Sequence, residues 1–94
     1  MLATTDPARA LARYQESLTI TRDLAQAQPG NLTAQRDLIV TLGRVASLLD
    51  QLDDARAARP LWRELVDRMD ASGGTAVLGQ NLEPFYRLAL KRLG

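Results

Sequence analysis

From Leu38 to Met69 apolar side chains return every three or four residues, and the pattern breaks once, at Leu52-Asp53-Asp54. Before the break the stripe is Leu38, Leu42, Val45, Ala46, Leu49 and Leu52; after it come Ala58, Trp62, Leu65, Val66 and Met69. Steps of three and four keep side chains on one face of a 3.6-residue helix, whereas a half-buried strand needs strict alternation. Two amphipathic helices joined by a tight turn are therefore expected here. Either Asp53 or Asp54 is suited to capping the free amides that open the second of them.

The same spacing continues on both sides. Ala10, Tyr14, Ser17, Leu18, Thr21, Leu24 and Ala25 form a stripe that opens with Asp6 as cap and Pro7 at the first helical position. "QPGN" ends it: Pro29 cannot continue a helix, Gly30 permits a reversal, and Asn31 is placed to cap the next segment. Ile39, Val40 and Leu48 widen the apolar arc of the second helix, so it is expected to meet more than one neighbour. "DASGG" ends the third, and residues 75–80 read as a loose turn. A last helix, capped by Asn81 and with Pro84 in its first turn, is expected to turn Leu82, Phe85, Tyr86, Ala89, Leu90 and Leu93 inward. Pro60 interrupts the third helix and is expected to kink its first turns or delay its start. The fold class is all-α: antiparallel helices at about 6–28, 32–51, 54–72 and 82–93 in a single domain over 1–94.

Composition narrows the function. Lysine plus arginine number 12 and aspartate plus glutamate 11, a net charge of +1 that gives no broad footprint for nucleic acid or an anionic membrane. Cysteine and histidine are both absent. That removes disulfides, thiolate metal sites, the usual general base and the commonest metal ligand. No apolar run approaches the roughly 20 residues needed to span a bilayer, and "MLATTDPARA" lacks the basic and apolar regions of a signal peptide. A soluble, cytoplasmic chain is expected. Asp53 and Asp54 read as caps rather than an acid–base pair; "SGG" at 72–74 has no trailing lysine and reads as a turn. Asn31-Leu32-Thr33 matches a glycosylation triplet by chance. Tyr14, Trp62, Phe85 and Tyr86 recur at helical spacing with Leu, Val and Met, which suits core packing better than base stacking. No catalytic, cofactor-binding or metal-binding residue is expected, and hence no enzyme.

Displaced by 48 positions, the chain resembles itself: Asp6 falls on Asp54, Ala10 on Ala58, Tyr14 on Trp62, Glu16 on Glu64, Leu42 on Leu90 and Arg44 on Arg92. A shift of 47 gives more identities in the first helix but lays the apolar stripe on Glu64 and Arg68. Stacked units must superpose their buried faces, which favours 48.

"ARALARYQESLTI" and "VASLLDQLDDARAARPLW" resemble the tetratricopeptide repeats in the long-period form common in bacterial proteins. Ala10, Tyr14 and Ser17, and again Ala58 and Trp62, take the small and aromatic places of that pattern, while Val45 and Ala46 stand where a leucine–glycine pair is favoured. The turn before Asp54 lacks the family's glycine, and Leu65 replaces a small residue. The resemblance implies one full helix pair over 32–72 flanked by half-repeats at 6–28 and 82–94, a fragment of a solenoid whose end faces need cover. It implies a scaffold that binds a peptide or partner helix in the groove lined by the second and fourth helices. The positions it marks are Val40, Gly43, Arg44, Ser47 and Gln51, with Lys91 and Arg92 beyond. Gly43 and Ser47 occupy places that chaperone-tail binders fill with lysine and asparagine, so a different protein or peptide partner is implied. Arg44 and Arg92, if unpaired with Asp37 or Asp50, suit a carboxylate or phosphate. The rival expectation is a self-associating domain that pairs through its end helices.

Overall fold

In the computed structural model of the chain, residues 6–94 are described; the first five, part of the segment that lacks signal-peptide features and of the 1–94 domain span, lie outside them. Five helices follow one another: α1 (Pro7–Ala27), α2 (Leu32–Gln51), α3 (Ala55–Ala71), α4 (Thr75–Leu78) and α5 (Glu83–Leu93), with a 3-10 turn at Gln80–Leu82 before α5. There is no strand among the described residues, and the class is all-α. No helix among them is long and apolar enough to cross a membrane.

The helix ends follow from their end residues. Asp6 accepts from the Ala8 amide, Asn31 from Ala34 and Asp54 from Ala57, each satisfying an amide that has no partner within its helix. Asp54 is thus the cap of α3. Asp53 plays a different part and adopts φ 59 just past the end of α2. Its amide and that of Asp54 return to the Asp50 and Leu49 carbonyls, at 3.1 and 2.8 Å. This is the closing pair of bonds that a left-handed residue makes at a helix C-terminus, usually with glycine in its place. The end of α3 repeats the pattern with glycine: Gly73 has φ 98, and the Gly74 amide reaches the Met69 carbonyl at 2.7 Å.

Two expectations are corrected. Of the two effects expected of Pro60, a kink or a delayed start, the delay is absent: α3 begins at Ala55 and runs on through the proline. The last helix does not start at Leu82 under an Asn81 cap. Residues 75–78 make a helical turn of their own, Asn81 lies in the 3-10 turn, and α5 begins at Glu83 without a side-chain cap.

Packing runs in chain order, α1 on α2, α2 on α3 and α3 on α5, with α4 and the 3-10 turn closing over α2. The core is Leu38, Ile39, Leu42, Val45 and Ala46 of α2 with Ala58, Trp62, Leu65 and Met69 of α3, joined by Leu18, Ala25, Leu78, Leu82 and Ala89. The wide arc of α2 does meet several neighbours. The stripes of the outer helices are covered less than expected. Ser17 and Leu24 of α1 and Leu90 of α5, read as inward, are exposed, because each of these helices has neighbours on one side only.

Polar contacts fix the stack. Gln35, the one buried polar residue among those described, donates its amide to the Ala25 carbonyl at 3.1 Å and so pins α2 to the end of α1. Arg22 reaches past α2 to α3 and forks onto Glu64, Nη2 to Oε1 at 2.7 Å and Nε to Oε2 at 3.0 Å. That hydrogen bond raises the arginine above its ordinary value and holds it in its charged form. Both partners are about a third exposed or less, and solvent screening keeps the pair to about 1 kcal/mol.

Candidate functional site

The marked positions divide into three environments. Val40 and Arg44 face a groove between α1 and α2 of about 340 Å³, lined also by Tyr14, Ser17 and Thr21 of α1 and Asp37 and Thr41 of α2. Residues 37, 40, 41 and 44 lie three and four apart on α2, as do 14, 17 and 21 on α1, so each helix gives the groove one continuous stripe. The Arg44 guanidinium carbon stands 5.9 Å from the centre of the Tyr14 ring, within range of a cation–π contact. Arg44 forms no ion pair among the described residues, and neither does Asp37. The Thr21 and Thr41 hydroxyls donate backwards to the Leu18 and Asp37 carbonyls, at 3.2 and 2.7 Å. Their oxygen lone pairs remain for a ligand. The groove thus offers an aromatic wall, a cation, a carboxylate and two acceptors.

Gly43 lies on another face of α2 and is buried. A Cβ built on it would overlap the Phe85 ring of α5, coming within 2.7 Å of Cε1. The glycine in mid-helix admits a helix of the same chain rather than a ligand. The α2–α5 groove is therefore floored by Phe85 at this position.

Arg92 stands at a third place. Its Nε lies 3.3 Å from Asp50 Oδ2, and the same oxygen accepts from Trp62 Nε1 at 3.1 Å. One carboxylate of α2 thereby holds α3 and α5, one of the two pairings foreseen for the arginines. Ser47 is half-buried, while Gln51 and Lys91 are exposed; none of the three lines the Arg44 groove. Arg44 and Arg92, superposed by the 48-residue shift, line different pockets.

The aromatics divide as well. Trp62 is 1% exposed and belongs to the core, while Tyr14, Phe85 and Tyr86 pack half-buried against it. The Tyr86 hydroxyl donates to Asp70 Oδ1 at 3.0 Å, which raises the phenol above its ordinary value. Among the described residues no three acidic side chains converge in a way that would hold a metal ion.

Reading the sequence from its repeats missed Tyr14, Ser17, Thr21, Asp37 and Thr41 as groove residues. A signal was present in the stripe of α1, whose middle is polar where that of α3 is apolar. Comparison with protein-family models, with curated proteins and with solved structures returns no match.

Proposed function

We propose that this chain is a non-catalytic protein-interaction module of tetratricopeptide type, and that a peptide or partner helix docks in the α1–α2 groove around Arg44. The observation that carries the reading is the groove itself: Tyr14 and Val40 give it apolar contact, and Arg44 and Asp37 give it charges with no ion-pair partner among the described residues. Recognition of a peptide combines a few apolar anchors with oriented charges, and both are present here. Phe85 on Gly43 disfavours the α2–α5 groove as the docking place. Packing in chain order supports the repeat character, as does a long dimension of 42 Å against a longest helix of about 31 Å. A bacterial, cytoplasmic scaffold belongs to the same reading.

The test is a peptide array probed with the labelled chain. Binders are expected to be lost with Arg44→Glu and kept with Arg92→Glu, while circular dichroism shows both variants folded. Binders indifferent to Arg44→Glu contradict the assignment of the groove.

A second reading, self-association, is favoured by Ile20 and Leu24, which are 68% and 41% exposed, and by Leu90 at 46%. Light scattering over a wide concentration range separates the two. A mass that stays that of one chain favours the peptide groove; a dimer abolished by Ile20→Lys favours pairing through α1.

A further inference from the structure

A pocket of about 370 Å³ opens where the first turns of α3 meet α2 and α5, lined by Asp50, Ala55, Arg56, Arg59, Trp62 and Arg92. Three guanidinium groups share this wall with one carboxylate. That carboxylate is already engaged, since Asp50 Oδ2 accepts from Trp62 and pairs with Arg92. Arg59 donates Nη2 to the Leu93 carbonyl at 3.2 Å, which anchors its head at the rim and leaves its other N–H groups for a ligand. Arg56 has no side-chain partner among the described residues. Arg56 and Arg59 are three apart on one helix, so their charges repel along a shared face unless an anion lies between them. Asp53 and Asp54 precede them on the turn but do not line the pocket, and Asp54 is occupied with the Ala57 amide.

We propose that this pocket binds a phosphate-sized oxyanion, with Arg56 and Arg59 as its principal donors and Arg92, held by Asp50, as a third. Planar guanidinium forks match the paired oxygens of such a group, and three of them around one cavity exceed what Asp50 neutralises. The net charge of +1 carries no extended field for a polyanion, so a single anionic group is the ligand class. The site does not depend on the Arg44 groove.

Trp62 is the chain's one tryptophan and lines the pocket, so its indole N–H is a built-in probe. The experiment is a titration with inorganic phosphate at constant ionic strength, set beside sodium chloride, following the indole resonance in a proton–nitrogen NMR spectrum. Phosphate is expected to move it saturably, with a dissociation constant on the order of millimolar. The double variant Arg56→Gln/Arg59→Gln is expected to weaken binding about tenfold or more, since each donor is a charge-assisted bond. Both residues are exposed, and an unchanged far-ultraviolet spectrum checks that the variant is folded. A phosphoserine peptide that binds more tightly than free phosphate assigns the site to a phosphorylated partner; equal affinities assign it to the free anion. A shift that grows linearly and matches chloride overturns the proposal. So does saturation that survives in the double variant.

Discussion

The faces of α1 and α3 occupy equivalent places under the 48-residue shift and have opposite fates. On α3, Trp62, Leu65 and Met69 are buried, with α5 packed alongside α3. On α1 the equivalent places are held by Tyr14, Ser17 and Thr21, which are half-buried or exposed and line an open groove. Burying Leu and Met side chains stabilises by about 1.5–3 kcal/mol each, so a face that carries them requires cover. Serine and threonine at the same two places remove that requirement and leave hydroxyls that water or a ligand can meet. The difference in side chains, rather than in backbone, separates a packing face from an open one.

The largest effect that sharpens this contrast is expected from truncating the two aromatics. Trp62→Ala should cost about 3–5 kcal/mol, because it opens a cavity in the core and takes a donor from Asp50. Tyr14→Ala should cost only about 1 kcal/mol, the loss of partial burial and of an exposed cation–π contact. Urea unfolding of the two variants measures both; equal costs would erase the distinction between the faces.

Next comes Gly43→Ala. The new methyl group meets the Phe85 ring, and overpacking of this kind costs about 1–3 kcal/mol, offset by about 1 kcal/mol of helix propensity. A net loss is expected, together with partial rescue by Phe85→Leu, which a double-mutant cycle detects as non-additivity. The smallest effect on stability is expected from transplanting the α3 face, as Ser17→Leu/Thr21→Met. On an uncovered surface the change should stay within about 0.5 kcal/mol while light scattering shows mass rising with concentration. A large gain in stability without association would mean that the α1 face is covered after all.

Much of this fold was legible locally. The bounds of α2 at 32–51, the caps Asp6 and Asn31, a cap of α3 at Asp53 or Asp54, and the burial of Trp62 all follow from periodicity and end chemistry. What escaped depends on contacts between distant residues. Nothing near Gly43 announces that Phe85 will occupy the space above it. Exposure of Leu24 and Leu90 likewise reflects outer sides of α1 and α5 that no other helix covers, which a stripe cannot report. Asp53 in a left-handed turn was unreadable for another reason: the expected signal there is glycine, and Asp53 stands in its place. For the site, repeat register leads to Val40 and Arg44 together with Gly43, which Phe85 covers, with Ser47, Gln51 and Lys91, which do not line the Arg44 groove, and with Arg92, which lines another pocket. Tyr14, beside Arg44 in the groove, reads as core because aromatic residues at helical spacing usually are, and it does pack half-buried against the core.

The most direct test of the contrast is a nuclear Overhauser spectrum of the chain in solution, read at the Gly43 α-protons. Cross-peaks to the Phe85 ring and an upfield ring-current shift of those protons are expected, with Tyr14 ring protons showing cross-peaks to Arg44 instead. Gly43 α-protons at their ordinary shift, with no contact to Phe85, would mean that the α2–α5 groove is open and that the docking face has been assigned to the wrong side of α2.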